Sequence, residues 1–166
     1  MKITGIRLGH LSIPLRTPFK TSVRTATRIE DVLVKIITDQ GAVGYGSAAL
    51  VPAITGDTEV SIRTAIEGPI KKLLIGSAVE NCEELMARLH TLAGVNNGAR
   101  AAVDIALHDL NGRLQALPVY KLLKGDRKEL TTDITISLND PEAMASDCLD
   151  AVRTEVLNGV RRGMDR

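Results

Sequence analysis

A chain of 166 residues is long enough to bury a core, and with one Phe, two Tyr and no Trp that core must be aliphatic. Its 21 Lys and Arg residues are balanced by 20 Asp and Glu residues, so it lacks both the basic excess and the aromatic side chains that nucleic-acid binding uses. No apolar run approaches the ~20 residues that span a bilayer, and the first residues lack the apolar segment of a secretory signal. We therefore expect a cytoplasmic protein without a nucleic-acid or membrane partner.

The first third of the chain predicts a three-stranded antiparallel meander. Residues 2–13 alternate apolar and polar side chains with a shift of phase at Gly9, as a strand does across a one-residue bulge. Residues 29–38 are strongly β-branched, as strands are. Asp39-Gln40-Gly41 is a turn signal, after which residues 42–50 return as the partner strand of a hairpin. Residues 14–27 contain two prolines and no period of 2 or 3.6, which predicts a long loop between the first two strands.

Three helices are predicted next. A shorter loop at residues 51–56 leads to Asp57, which is placed to cap a helix over residues 58–74. A second helix is predicted over residues 80–92, and the central one over residues 97–117.

The central helix carries a stripe of apolar residues at three-and-four spacing, which is typical of a helix packed against a core. The stripe consists of Ala99, Ala102, Val103, Ala106, Leu107, Leu110 and Leu114. Asn96 or Asn97 is expected to cap this helix, and Pro118 is expected to end it. On its exposed side we expect two i,i+4 ion pairs, Arg100 with Asp104 and Asp109 with Arg113.

The last part of the chain predicts one strand and one helix. Residues 130–138 alternate as a strand does, and Asp140-Pro141-Glu142 opens a helix that runs to about residue 157. A strand followed by a helix is half of a βαβ unit, which needs a second parallel strand. Residues 160–166, VRRGMDR, do not supply that strand, so the pattern is broken off after Gly159.

Two loops are candidates for binding. Arg24 in the first loop can hold a carboxylate through two parallel hydrogen bonds, and Lys20 can act similarly; alternatively, both are ordinary solvated cations. In the second loop, Gly56 lets the backbone approach a ligand at a helix start, or it belongs to a plain turn before a helix cap.

The remaining reactive residues point to structural roles. His108 follows Asp104 by four residues, which favours a helix-surface ion pair over a catalytic base. Cys82 and Cys148 lack metal-ligand spacing and are expected to be small buried residues without a disulfide. Gly44-Tyr45-Gly46 lacks the third glycine of a dinucleotide-binding loop, so it is a weak match to any phosphate site.

Taken together, the order of motifs resembles a known family. These motifs are IPLRTPFKTSVRT after the first strand, DVLVKIITDQGAVGYG in the hairpin, ITGDT before the first helix, ARAAVDIALHDLNGRLQALPVYKLLKG in the central helix, and TTDITISLNDPEAMA. The chain resembles the N-terminal portion of the enolase superfamily, in the muconate-lactonizing subgroup, and within it the L-Ala-D/L-Glu type of dipeptide epimerase. The likeness extends from residue 1 to about residue 159.

The resemblance implies an α+β fold. A three-stranded meander and a helical bundle would form an enolase-type N-terminal capping domain over residues 1–125. Residues 126–166 would be the truncated start of a TIM-like barrel, with an incomplete first βα unit.

The resemblance also implies a reaction and a binding site. Members move a proton at the carbon alpha to a carboxylate, with Mg²⁺ stabilising the enediolate between two lysines. Two loops of the capping domain form the lid that contacts the substrate. By resemblance, Arg24 would bind the distal carboxylate of an acidic dipeptide, and Phe19, Thr21, Ile54 and Thr135 would line the pocket.

The departures from the family pattern limit what this chain can do. It contains neither the Lys-x-Lys of the second barrel strand nor the metal-binding carboxylates of the strands that follow. We therefore expect no catalytic residue and no cofactor in this chain, with Mg²⁺ implied only for full-length relatives, and no activity of the chain alone. It would bind a barrel-bearing partner chain or form a homo-oligomer. The alternatives are a non-catalytic oligomerisation or partner-binding module derived from this domain, and a small-ligand binder that uses Arg24 and Lys20.

Overall fold

The computed structural model describes residues 1–126 and 133–156. They form two compact units: residues 1–13 with 29–125, and residues 14–28 with the described part of 126–166. The strands are β1 (Ile3–Lys20), β2 (Thr25–Thr38) and β3 (Val43–Ala49). The α-helices are α1 (Pro52–Thr55), α2 (Glu59–Ala65), α3 (Lys71–Leu74), α4 (Cys82–Thr91), α5 (Asn97–Gln115), α6 (Val119–Leu122) and α7 (Pro141–Asp150). Ile66–Ile70 and Ala151–Val156 are π-helical, and Val79–Asn81 is a 3-10 turn.

The sheet has the strand order β1-β2-β3, which confirms the predicted meander. β2 and β3 pair antiparallel, from Asp31 opposite Ala49 to Ile37 opposite Val43. The predicted turn closes this hairpin: the amide of Thr38 donates to the carbonyl of Ala42 at 3.0 Å.

The long loop predicted at residues 14–27 was wrong. β1 continues to Lys20 and β2 begins at Thr25, so most of this stretch forms the two arms of a hairpin. Because β1 is an edge strand, Pro14 and Pro18 can lack an N–H without breaking a ladder on both sides. Residues 16–18 are all exposed, and a strand without a buried face has no need of apolar alternation.

Helix α5 forms the centre of the first unit's core. Six of its seven predicted stripe residues are completely buried, whereas Leu114 is 40% exposed, so the buried stripe ends at Leu110. Asn96 caps the helix by accepting from the amide of Ala99 at 2.8 Å. Helix α5 ends at Gln115, before Pro118.

Of the two ion pairs predicted on α5, one is confirmed and one was wrong. Arg113 lies 2.9 Å from the carboxylate of Asp109. Arg100 instead donates to the carbonyls of Leu89 and Leu92 at the end of α4. Carbonyls at a helix C-terminus have no partner within the helix, so they offer acceptors that the sequence pattern does not reveal.

The glycines of Gly44-Tyr45-Gly46 serve close packing. A Cβ added at Gly44 would overlap the carbonyl oxygen of Ala106, and one at Gly46 would overlap that of Ala102. The motif therefore brings β3 against the backbone of α5.

The second predicted loop and helix start also differ from expectation. Residues 52–55 form the short helix α1. Thr58, not Asp57, caps α2, through reciprocal hydrogen bonds with Ser61. Asp57 instead accepts from the amide of Gly98 at 3.2 Å. The helix continues through a π-helical turn that contains Pro69 and ends at Leu74, as predicted.

In the second unit, α7 begins as predicted, with Asp140 as cap and Pro141 as first residue. The strand predicted at residues 130–138 is not observed over residues 133–138, and its first three residues lie outside the described part. A strand needs a ladder of hydrogen bonds to a neighbouring strand. The bond from the amide of Leu138 to the carbonyl of Lys20, at 3.0 Å, does not by itself form such a ladder. Residues 157–166 also lie outside the described part.

The two cysteines differ. Cys82 is buried, as expected, whereas Cys148 is exposed, so its predicted burial was wrong. Both are free thiols. No helix in residues 1–126 and 133–156 is long and apolar enough to cross a membrane.

Candidate functional site

Arg24 lies at the tip of the β1–β2 hairpin. The amide of Thr21 donates to the carbonyl of Arg24 at 2.8 Å, and the amide of Arg24 donates back to the Thr21 hydroxyl at 3.2 Å. The hydroxyl thereby stabilises the turn locally. The Arg24 side chain is half-buried, and its guanidinium forms no hydrogen bond or ion pair with a described residue. Within residues 1–126 and 133–156, no side chain competes with an external anion for this guanidinium.

Lys20 differs from Arg24 because its side chain is already engaged. Its ammonium donates to the amide oxygen of Asn139 at 3.2 Å, and its backbone N–H donates to the hydroxyl of Ser137 at 2.9 Å. These bonds join the hairpin to residues 137–139, so Lys20 has a structural role.

Phe19 and Thr135 lie on the same cleft. It has a volume of about 610 Å³ and is confined to the second unit. Its other lining residues are Leu15, Arg16, Thr17, Pro18, Ile134, Ile136, Ser137, Asp147, Asp150 and Ala151. The cleft thus combines an aromatic ring with a hydroxyl and charges of both signs, which suits a small polar ligand.

Ile54 belongs to the first unit and lies on α1. Its side chain is 64% exposed. Gly56 ends the helix in the left-handed conformation, with φ of 75°, where a residue with a Cβ would be strained. The glycine predicted to admit a ligand therefore also has a role in the turn.

The sequence interpretation missed Ser137 and Asn139, the partners of Lys20. A signal for them was present, because Thr135, Ser137 and Asn139 alternate at a period of two and so share one face of an extended segment. The same interpretation did find the His108 pair: its Nδ1 lies 3.4 Å from Asp104 Oδ2.

A magnesium site does not fit the described residues. Over residues 1–126 and 133–156 no three His, Cys, Asp or Glu side chains are grouped so that they could hold a metal ion. We therefore derive no catalytic step through Mg²⁺ at these residues.

An antiparallel three-stranded sheet followed by packed helices defines an α+β fold, and comparison with known proteins gives the family. The sequence profile of the mandelate racemase / muconate lactonizing enzyme N-terminal domain matches residues 3–124. The chain belongs to this family.

Among individual proteins, the L-Ala-D/L-Glu epimerase of Clostridium acetobutylicum is 50% identical over 153 residues, or 92% of this chain and 43% of that protein. The structure of the substrate-liganded L-Ala-D/L-Glu epimerase from Bacillus subtilis aligns with a TM-score of 0.86 at 39% identity, over 93% of this chain and 43% of that one. The dipeptide epimerase from Enterococcus faecalis, complexed with Mg and L-Leu-L-Tyr, aligns with a TM-score of 0.83 at 31% identity, over 92% and 43% of the two chains.

These alignments cover only part of each relative. The chain spans less than half the length of the relatives that it matches.

Proposed function

We propose that this chain is the capping, specificity-determining part of a dipeptide-epimerase-like enzyme. That enzyme would invert the configuration at the alpha carbon of an acidic dipeptide. The observation that carries this proposal is the 50% identity to an L-Ala-D/L-Glu epimerase over 92% of the chain. Residues 1–125 would be the capping domain and residues 126–166 the start of the barrel domain. The family match over residues 3–124 supports that division.

Five residues would contact the dipeptide. Arg24 would bind the distal carboxylate, which is supported by the absence of any bond from its guanidinium to a described residue. Thr21, in the same turn, would line the pocket. Phe19 and Thr135 would line the pocket, as their shared cleft supports, and Ile54 would contribute from the second lid loop. A charge-assisted hydrogen bond from Arg24 would stabilise binding by roughly 1.5–3 kcal/mol.

Catalysis would require groups of a barrel domain that residues 1–166 do not include. The sequence lacks the Lys-x-Lys expected on a second barrel strand, and proton abstraction alpha to a carboxylate needs bases and a metal to hold the enolate charge. We therefore propose that the 166-residue chain is inactive by itself.

A complementation assay tests the proposal. The chain is incubated with L-Ala-L-Glu and Mg²⁺, alone and together with the remaining C-terminal part of the C. acetobutylicum relative, and epimerisation is followed by polarimetry. We expect no turnover alone and measurable turnover in the mixture. Enzyme-like turnover by the chain alone would contradict the proposed inactivity.

The same mixture tests Arg24. The change Arg24→Ala should lower kcat/KM by about 10- to 100-fold through loss of a charge-assisted bond, whereas the control Arg7→Ala removes an exposed cation and should change little. Equal effects of the two substitutions would contradict the role of Arg24.

A second candidate function is an oligomerisation module. Helix α7 buries none of its residues in the described structure, and Leu149 and Val152 are 54% and 56% exposed. Such apolar surface favours association. The proposed occupant is a second copy of the chain, and light scattering that shows a monomer at micromolar concentration would contradict it.

A further inference from the structure

His10, on β1, lies between two carboxylates from other elements. Its Nε2 is 2.6 Å from Oε2 of Glu30 on β2. Its Nδ1 is 3.1 Å from Oε2 of Glu59, the first residue of α2. We call His10, Glu30 and Glu59 the His10 bridge.

The bridge requires a protonated ring. A neutral imidazole has one N–H and one nitrogen lone pair, whereas an imidazolium donates from both nitrogens. In the neutral ring, one nitrogen of His10 would face carboxylate oxygens without a proton between them. Imidazole side chains in general gain or lose this proton between about pH 5 and 8. Loss of the proton from His10 would leave one of the two carboxylates without its hydrogen bond to the ring.

Among the described residues, the charged groups placed against His10 include Glu30 from β2 and Glu59, with its partner Arg63, from α2. The Nε of Arg63 donates to Glu59 Oε1 at 2.7 Å, and the hydroxyl of Ser12 donates to Glu30 Oε1 at 2.6 Å. The hydrogen bond from Arg63, followed by the charge of His10, lowers the pKa of Glu59. Glu59 therefore stays ionised over the range in which an imidazole titrates.

The bridge closes the base of a loop. The amide of Leu50, just before residues 51–58, donates to the carbonyl of Glu30 at 2.8 Å, and Glu59 comes directly after them. Glu30 thus holds one end of the loop through its backbone and the other end through its carboxylate and His10. Ile54 lies between these two ends.

We infer that His10 is a positioning residue: its imidazolium fixes the base of the loop at residues 51–58, and loss of the ring proton loosens that loop. Its meaning for substrate binding rests on the proposed function, in which this loop is part of the lid. The geometric claim itself concerns only the first unit.

Amide hydrogen exchange of the 166-residue chain tests the inference. The probes are the amides of Thr55, Gly56 and Ile62, which donate to carbonyls of the loop at Val51, Pro52 and Thr58. Their protection factors, corrected for intrinsic rates, are measured at about pH 5.5 and about pH 8.5, on either side of the general imidazole range. In the wild type we expect protection to fall about two- to fivefold at the higher pH, the range typical of a partly exposed ion pair.

Two variants separate the bridge from general effects of pH. With His10→Asn, protection should equal the high-pH wild-type level at both pH values. With His90→Asn, the wild-type pH dependence should remain, because His90 contacts Asp104 and not this loop. Identical protection of wild type and His10→Asn at both pH values would overturn the inference.

A third variant covers the case in which His10→Asn fails to fold. Glu59→Gln keeps the side chain's size and removes its charge, and it should abolish the pH dependence in the same amides. A pH dependence that persists in Glu59→Gln would also overturn the inference. No dipeptide or barrel chain is present in these experiments, so their failure is distinguishable from failure of the proposed function.

Discussion

Helices α5 and α7 begin with the same kind of side-chain cap but differ in how much of their surface is buried. Asn96 accepts from the amide of Ala99 at 2.8 Å, and Asp140 accepts from the amide of Ala143 at 3.0 Å, so each helix has a side-chain cap three residues before the amide that it satisfies. Helix α5 then buries six of its seven stripe residues in the first unit's core, whereas α7 buries no residue in the described structure.

The comparison shows that local signals form a helix but do not stabilise it to the same degree. A cap contributes about 1 kcal/mol, whereas each fully buried aliphatic side chain contributes roughly 1.5–3 kcal/mol. The stability of α5 should therefore depend on its packing, and that of α7 mainly on local interactions.

The largest effect is expected where β3 contacts α5. The change Gly46→Ala places a methyl group against the carbonyl oxygen of Ala102, which the helix backbone cannot avoid without moving away from the sheet. We expect a loss of about 4 kcal/mol in the free energy of unfolding, measured by urea denaturation. The control Gly68→Ala, at a position where an added Cβ meets nothing within 4 Å, should cost nothing; equal losses would show that close packing is not the cause.

A smaller difference should separate matched leucines of the two helices. Leu107 on α5 is 0% exposed and Leu149 on α7 is 54% exposed. Leu107→Ala should lower the free energy of unfolding by about 3 kcal/mol through transfer and cavity costs, and Leu149→Ala should change it by less than about 0.5 kcal/mol. A Leu149→Ala cost that matches that of Leu107→Ala would mean that α7 is packed in solution, which would break the comparison.

The two free thiols should differ in reactivity, because Cys82 is buried in the first unit whereas Cys148 on α7 is exposed. Burial raises the pKa of the Cys82 thiol to about 11 from its ordinary value of 9.0, and its Sγ lies 3.6 Å from the carbonyl oxygen of Leu107. Since the thiolate is the reactive form, Cys148 should react with a disulfide reagent near pH 8 about 100-fold faster than Cys82. Raising the pKa of the Cys82 thiol from 9.0 to about 11 lowers its thiolate fraction at pH 8 about 100-fold, and the burial of Cys82 slows reagent access as well.

The raised pKa of Cys82 also sets a pH dependence of stability. A neutral thiol is favoured in the folded state, so its contribution is fully present below the ordinary pKa of 9.0 and is lost as the pH rises through about 11. The change Cys82→Ala should remove this alkaline loss from the urea midpoint, while Cys148→Ala should leave it unchanged.

In the labelling experiment, rapid reaction of both thiols in the native state would contradict the expected burial of Cys82.

Much of the fold was determined by the sequence because its signals are local. The stripe on α5, its Asn96 cap, the turn at Gly41 and the Pro141 start of α7 each depend on residues within a few positions of one another. The substrate-contact residues came from the resemblance, and their roles stay predictions. The structure adds that Phe19 and Thr135 share a cleft and that Lys20 is engaged by Asn139.

Other features were decided only by the tertiary structure. The prolines at 14 and 18 were compatible with a loop or an edge strand, and pairing with β2 decided between them. In the sequence, Gly44 and Gly46 match part of a phosphate-loop motif. In the structure, they allow β3 to pack closely against α5. His10, Glu30 and Glu59 are 20 to 49 residues apart in sequence. A short-range pattern encodes what neighbouring residues do, but close contacts between distant segments exist only once the chain has folded.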